Sequence, residues 1–239
     1  HSPSNLSWSP DGKSIAFLMS VPFETTPLIK LPAKPKGANW ETPPMYIDQM
    51  KFKADGAGFL KNERKQLFVL SVDGGTPRQL TFGDAKVNGM PEWSKNGNSI
   101  LFTSNRHEDR EMEPRNSEIF EINIQRLKVT TLTKRHGPDT NPKISPDGKS
   151  IAYLGYDDNY DGYQVVHLYV MTQNGQSPKC VSCNFDRDVE NINWSKDGKG
   201  IYFQYNDEGN TKIAISDLNG KITDLAKNVG GLSIGRPYS

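Results

Sequence analysis

One ten-residue pattern occurs four times in this chain, and this repeat constrains the fold more than any other feature. Each copy has an apolar residue, a serine, a polar turn ending in glycine, and then a second apolar stretch. The copies occupy residues 8–17, 93–102, 144–153 and 194–203. Proline, Asp or Asn, and glycine are the residues that tight turns require. Each copy therefore predicts two antiparallel strands joined by a turn, with Gly12, Gly97, Gly148 and Gly198 at equivalent positions of positive φ.

A second β-rich segment and a short last strand follow each copy. The second segments are 66–72, 118–124, 167–172 and 212–218, and the last strands are 78–81, 131–133, 179–181 and 223–225. Four short strands in roughly 40–50 residues are typical of one β-propeller blade. The alternative, a two-sheet sandwich, would not repeat its turn residues at a fixed period. We therefore predict an all-β, incomplete propeller of about four four-stranded antiparallel blades.

The predicted blades divide one propeller domain, residues 1–239. They cover 1–82, 83–134, 135–183 and 184–227, and the start of a further blade covers 228–239. Blade one contains a proline-rich insertion at 21–65, and long propeller insertions often carry function. An open array leaves its outer blade faces uncovered. We therefore expect a piece of a longer propeller or self-association through the terminal blades, with some of Trp8, Phe17, Ile201 and Phe203 on uncovered faces.

Composition argues against several classes of partner and of cofactor. The 29 Lys and Arg nearly balance the 28 Asp and Glu, so no basic field would attract nucleic acid or an anionic membrane. No apolar run approaches the ~20 residues of a membrane span. Cys180 and Cys183 cannot by themselves supply the four ligands of a structural zinc site. Two small residues in a strand-end turn are the favoured interpretation and a local disulfide is the alternative. The compartment, periplasmic or cytoplasmic, stays open.

Several further segments of the chain resemble one family. They are Ala38-Asn39-Trp40, 53–59 (Lys-Ala-Asp-Gly-Ala-Gly-Phe), 74–81 (Gly-Gly-Thr-Pro-Arg-Gln-Leu-Thr), 137–139, 153–158, 162–164 and 235–238. The Ser-Pro-Asp-Gly-Lys turns resemble those of TolB-like propellers. Together with these turns, the segments resemble the prolyl oligopeptidase family of serine peptidases, in its acylaminoacyl-peptidase-like branch. The resemblance implies a propeller that caps an α/β-hydrolase domain of the same protein and admits only short peptides. It implies no cofactor. The alternative is a non-enzymatic TolB-like scaffold that binds a protein partner.

No complete catalytic site is visible in the chain. Residues 231–235 match Gly-x-Ser-x-Gly, but a nucleophile elbow needs a strand-to-helix turn and a later Asp and His. Ser233 is therefore interpreted as part of a strand-entry turn. The candidates for substrate gating are Glu111 and Glu113, in a charged loop, and Arg236 and Tyr238, in a segment of the family resemblance. A merely hydrated loop is the alternative for the glutamates.

Residues 157–162 resemble the first half of a calcium-binding loop. Asp157, Asn159 and Asp161 could converge their oxygens, but Leu168 stands where such a loop has its bidentate Glu. They are a weak calcium candidate, and a polar connection between strands is the favoured alternative. His107, His136 and His167 show no metal-ligand spacing.

Overall fold

A computed structural model of the chain describes residues 2–23, 32–41 and 45–230. Within these residues there is no helix, and the strands form four four-stranded antiparallel sheets and one two-stranded hairpin. In each large sheet, strands that follow one another along the chain are neighbours, apart from the hairpin inserted in the first sheet. The predicted all-β architecture of four four-stranded propeller blades is confirmed.

The four blades contain sixteen of the eighteen strands. Blade one has β1 (Ser4–Trp8) and β2 (Ser14–Pro22), then the inserted hairpin of β3 (Lys53–Ala54) and β4 (Gly58–Phe59), then β5 (Glu63–Ser71) and β6 (Arg78–Gln79). Blade two has β7 (Val87–Trp93), β8 (Ser99–Ser104), β9 (Glu118–Asn123) and β10 (Val129–Thr131). Blade three has β11 (Asp139–Ile144), β12 (Ser150–Gly155), β13 (His167–Thr172) and β14 (Lys179–Cys180). Blade four has β15 (Glu190–Trp194), β16 (Gly200–Asp207), β17 (Asn210–Asp217) and β18 (Ile222–Ala226).

The antiparallel order sends the connections of each blade to two opposite edges. The turns after the first and third strands lie at one edge, which we call the turn face. The connection between the second and third strands, and the segment that leads to the next blade, lie at the other edge, which we call the loop face. The repeat turns are short, whereas the loop-face connections between the second and third strands are long in blades one to three and only two residues long in blade four. The two faces therefore have different chemistry.

Side chains close the repeat turns in the same way in all four blades. In blade three, the Ser145 hydroxyl donates to Asp147 at 2.6 Å and accepts from the Ser150 backbone N–H at 3.0 Å. Gly148, at the turn's left-handed position, has φ 75°. The equivalent glycines have φ values of 68°, 70° and 69° at Gly12, Gly97 and Gly198, which confirms the predicted register. A Cβ built on Gly148 would lie 3.1 Å from Lys95 Cγ, so turns of successive blades pack together.

Apolar side chains between neighbouring blades form the core. Leu101 and Ile119 of blade two are buried in one cluster with Ile144 and Ile151 of blade three. Tryptophans at the ends of first strands also link the blades: Trp93 Nε1 donates to the Ser7 carbonyl of blade one at 3.1 Å, and Trp194 Nε1 donates to the Lys143 carbonyl of blade three at 2.9 Å.

Trp8 occupies the same repeat position in blade one, where no described blade precedes it. It is 61% exposed, whereas Trp93 is 6% exposed. The expectation that some terminal apolar residues lie uncovered is confirmed for Trp8. Phe17, Ile201 and Phe203 are buried inside the array.

Cys180 and Cys183 form a disulfide. The favoured sequence interpretation, two unlinked small residues in a turn, was wrong. Strand β14 ends at Cys180, and the bend that follows brings the two Cα atoms to 5.7 Å, within the range that a disulfide spans. The bond links β14, the outermost strand of blade three, to the segment that leads to blade four.

Candidate functional site

The loop face gathers the longest connections in the described part of the chain. They are the blade-one insertion between β2 and β5, residues 105–117 of blade two and residues 156–166 of blade three. Long loops held by a rigid scaffold are where binding residues concentrate. Glu111, Glu113 and the calcium candidates all lie in these connections.

A cavity of about 650 Å³ opens on the loop face between the insertion and blades one and two. Its charged lining consists of the cations Lys51, Lys53, Arg64, Lys86 and Arg110 and the carboxylates Asp84 and Glu111. Gln49, Met50, Asn88, Asn105 and Pro114 complete the lining. Residues from 49 to 114 therefore meet in one place, and cations outnumber carboxylates there.

Arg64 is held rigidly beside this cavity. It lies on β5 and is only 7% exposed. Its Nε donates to the Asp84 carbonyl at 2.8 Å, and its guanidinium lies 4.6 Å from the centre of the Phe23 ring. Arg110, from the blade-two loop, forms an ion pair with the Asp84 carboxylate. Arg64 and Arg110 therefore both bind Asp84, in the segment that joins blade one to blade two.

Lys86 lies one residue before β7 and faces the same cavity. Lys86 is exposed, but partial desolvation of its ammonium lowers its pKa, and the charges of Arg64 and Lys51 lower it further, while Glu111 acts in the opposite direction. Among the described residues, the ammonium of Lys86 has no ion-pair partner. Desolvation would lower the pKa of any ammonium, and only the smaller contributions of Arg64 and Lys51 reflect the positive charge around the cavity.

The structure separates the two glutamates that were predicted to gate substrate. Glu111 lines the cavity, and its Oε2 accepts a hydrogen bond from the Met50 backbone N–H at 3.0 Å, which ties the insertion to blade two. Glu113 belongs to another cluster: its Oε1 accepts from the Tyr160 hydroxyl at 3.1 Å, and its Oε2 lies 3.8 Å from His136 Nε2. Arg236, Tyr238 and Ser233 lie outside the described residues.

Two buried carboxyl groups lie at the junction of blades two and three. Glu118, the first residue of β9, is 2% exposed. Thr133 Oγ1 donates to Glu118 Oε2 at 2.5 Å, whereas Oε1 has no hydrogen-bond partner and lies 3.6 Å from His107 Nε2. Burial raises the pKa of Glu118 to about 7 and Asp139 raises it too, while Thr133 and Arg135 oppose the increase.

Asp139 begins β11 and is equally buried. Burial raises its pKa to about 6 despite an ion pair with Arg135, whose guanidinium lies 4.0 Å from the centre of the Tyr169 ring. Glu118 therefore exchanges its proton near neutral pH, whereas Asp139 does so about one pH unit lower and is mostly ionised, beside Arg135, at pH 7. Sequence reasoning missed this cluster, although one signal was available: blade one has Gln66 and Thr81 at the positions of Glu118 and Thr133, with the same side-chain hydrogen bond at 2.6 Å.

The weak calcium candidate stays a prediction. Asp157 Oδ1 lies 3.6 Å from Arg135 Nε, and the Asn159 backbone N–H donates to Gln164 Oε1 at 2.8 Å. The turn itself is organised by a neighbouring side chain, because Asp158 Oδ1 accepts hydrogen bonds from the Tyr160 backbone N–H and from Gln164 Nε2.

In the part of the chain that the structure describes, the histidine, cysteine and carboxylate side chains that converge as three metal-ligand atoms are His167, Cys180 and Cys183. The two sulfurs are bonded to each other, so they offer no thiolate to a metal. Within the described ranges, no helix is long and apolar enough to cross a membrane.

Consecutive four-stranded blades with Ser-x-Asp/Asn-Gly turns define a β-propeller of the TolB-like class. Known structures agree: Pyrococcus horikoshii acylaminoacyl peptidase superposes with a TM-score of 0.65 and 15% identity, over 95% of this chain and 32% of that one. TolB from Acinetobacter baumannii gives a TM-score of 0.58 and 24% identity, over 95% of this chain and 43% of that one. The family model described as the acylaminoacyl-peptidase N-terminal beta-propeller domain matches residues 36–232. The chain belongs to this family.

Curated relatives carry the name dipeptidyl-peptidase 5. The Porphyromonas gingivalis protein is 32% identical over 140 residues, which are 56% of this chain and 20% of the relative. The Arthroderma otae protein is 30% identical over 138 residues, which are 53% of this chain and 19% of the relative. The matched region is thus about a fifth of each relative's length.

Proposed function

We propose that this chain is the propeller of a serine peptidase that hydrolyses short peptides, of the dipeptidyl-peptidase or acylaminoacyl-peptidase kind. The observation that carries the proposal is the family match over residues 36–232, which spans most of the chain. The names of the curated relatives support the same class of reaction. Hydrolysis would proceed by acyl transfer to a serine, with the oxyanion hole and the Ser-Asp-His triad supplied by an α/β-hydrolase domain of the same protein.

In this proposal the propeller restricts which peptides reach the hydrolase domain, and the loop face is the side that meets them. The loop face carries the insertion, the charged cavity and both described gating candidates, whereas the turn face carries the four near-identical repeat turns and the short turns after the third strands. A surface that selects substrates needs side chains that differ from blade to blade, and the loop face has them. Glu111, Glu113, Arg236 and Tyr238 remain the proposed gating residues.

The gene sequence that follows the codon of Ser239 is the first test. A downstream α/β-hydrolase with Gly-x-Ser-x-Gly, followed by an Asp and a His, supports the peptidase. A stop codon or a further propeller supports a TolB-like interaction scaffold instead.

Enzyme assays form the second test. The 239-residue chain alone should hydrolyse neither dipeptidyl nor acylaminoacyl p-nitroanilides, because the nucleophile, base and orienting carboxylate act as a unit. The longer protein should cleave them, and its kcat/KM should fall as the peptide is lengthened. Stoichiometric phosphonate labelling of Ser233 in the isolated chain, or indifference of the longer protein to peptide length, would contradict the proposal.

A further inference from the structure

The charge of the loop-face cavity differs from that of the whole protein. The chain has a formal net charge of +1, with acidic and basic residues almost equal in number. The cavity alone brings together five cations and two carboxylates. Since Arg110 is paired with Asp84, the uncompensated positive charge comes from Lys51, Lys53, Arg64 and Lys86, opposed by Glu111.

From this arrangement we infer that the cavity binds the carboxylate of a short peptide, with Lys86 as its principal charged contact. The inference rests on the proposed peptidase function, because it names the substrate group that the propeller recognises. Like charges placed together around the cavity repel one another, and an anion would relieve this repulsion. Lys86 is the cation best placed to gain, since it directly precedes β7, whereas Lys51 and Lys53 lie on the insertion, and the charges of Arg64 and Lys51 act on its ammonium.

The rest of the lining suits a peptide better than a simple inorganic anion. A volume of about 650 Å³ lies within the range of small-molecule sites, roughly 300–1,000 Å³, and exceeds what one inorganic anion fills. The side-chain amides of Gln49, Asn88 and Asn105 can both donate to and accept from a peptide backbone. Met50 and Pro114 offer apolar contact for a side chain.

The cavity is also pre-organised. Arg64 is fixed by the Asp84 carbonyl and by Phe23, and the insertion is tied to blade two through Glu111 and the Met50 N–H. A site already held in its binding geometry loses less entropy when a ligand enters. A peptide ammonium, in contrast, would meet an excess of positive charge around the single unpaired carboxylate Glu111.

Binding of two N-acetylated trialanines to the full 239-residue chain tests the inference. One peptide ends in a free carboxylate and the other in an amide, and neither has an ammonium. In calorimetric titration at low salt, we expect the acid to bind at least about fivefold more tightly than the amide, because only the acid gains from the cations. Added salt should reduce this preference. Equal affinity for acid and amide would overturn the inference.

Three variants locate the site. Lys86→Met should reduce affinity for the acid to that of the amide, while Lys199→Met, on the turn face, should leave it unchanged. Glu111→Gln removes the opposing charge but keeps an acceptor for the Met50 N–H, so it should tighten binding of the acid. A weaker acid affinity in Glu111→Gln, or no effect of Lys86→Met in a chain with unchanged circular dichroism, would contradict the assignment.

Two further ligands separate the sources of the carboxylate. N-acetyl-Ala-Ala-Glu amide presents its carboxylate on a side chain. If it binds as tightly as N-acetyl-trialanine acid, the cavity also accepts the carboxylates of acidic side chains. Inorganic phosphate that binds more tightly than any peptide would refute a peptide site. If neither trialanine binds but a hydrolase domain follows in the gene, the carboxylate site is wrong and the peptidase proposal stands.

Discussion

Replacing Glu118 by Gln should remove much of the pH dependence of this protein's stability. Glu118 is buried at the blade two–blade three junction, and its pKa is raised from 4.5 to about 7. The folded chain therefore keeps this proton up to about pH 7, whereas the unfolded chain releases it near pH 4.5. The stability that the protonated Glu118 side chain contributes to the folded state is fully present below pH 4.5 and is lost as the pH rises to 7.

The magnitude follows from the two pKa values of Glu118. A rise from 4.5 to about 7 corresponds to roughly 3 kcal/mol of stability lost between acid and alkaline conditions, at about 1.4 kcal/mol per pH unit. Asp139, whose pKa is also raised, adds a loss of the same sign in both proteins, and only the part that comes from its interaction with Glu118 differs between them. Wild type should thus lose about 3 kcal/mol more than Glu118→Gln between pH 4 and pH 8.

Blade one indicates that glutamine fits this site. Gln66 has the position of Glu118 there, and its Oε1 accepts from Thr81 Oγ1 while its Nε2 donates to the Gly83 and Ala85 carbonyls. Gln at 118 can keep the acceptor for Thr133 and gains donors toward the segment that leads to blade three. The variant should fold and be more stable than wild type at pH 8.

The assay is urea unfolding followed by tryptophan fluorescence at pH 4 and pH 8, for wild type, Glu118→Gln and the exposed control Glu190→Gln. The control should follow wild type. If Glu118→Gln shows the same pH dependence as wild type, Glu118 ionises normally in the folded chain and the burial reasoning is wrong.

Three further predictions concern the turns, the disulfide and the exposed end of the array. Gly148→Val should lower the free energy of unfolding by about 1–2 kcal/mol or more, because valine resists positive φ. Gly12→Val should cost less, since a Cβ there meets nothing within 4 Å, and equal losses in urea unfolding would contradict the packing of the Gly148 turn on Lys95. Replacing Cys180 and Cys183 together by Ser should cost at most about 2 kcal/mol, because the closed loop is short; a loss well above this in the same assay would indicate a role beyond loop closure. Trp8→Ser should reduce self-association, measured by light scattering. Trp93→Ser should instead destabilise the chain by about 3–5 kcal/mol. A wild-type chain that is strictly monomeric would contradict self-association through the exposed face of blade one.

The blades could be predicted from the sequence because the residues that form each repeat turn are close together in the chain. A Ser-x-Asp/Asn-Gly turn specifies its own hydrogen bonds within six residues, as Ser145, Asp147 and Ser150 show. The last three copies begin 51 and 50 residues apart, at residues 93, 144 and 194, and this spacing leaves room for one four-stranded sheet per copy. The inserted hairpin of β3 and β4 carries no such repeat, and it was not predicted.

The cavity could not be predicted, because its lining is brought together only by the packing of the insertion on blade two. Lys51, Lys86 and Arg110 are far apart in sequence, and each is unremarkable by itself in a surface loop. The buried pair of Glu118 and Asp139 also depends on contact between blades. The disulfide was only the alternative interpretation of Cys180 and Cys183, because their Cα–Cα distance depends on how the chain bends after β14.

Hydrogen exchange of the 239-residue chain, with and without saturating N-acetyl-trialanine acid, tests most directly the claim that the loop face is where this propeller meets peptides. With the peptide bound, exchange should be slower at 49–64, 84–88 and 105–114, around the cavity. Exchange should not change in the repeat turns at 9–14, 94–99, 145–150 and 195–200. Protection confined to those turns or to the outermost strands, with unchanged exchange around the cavity, would contradict this claim.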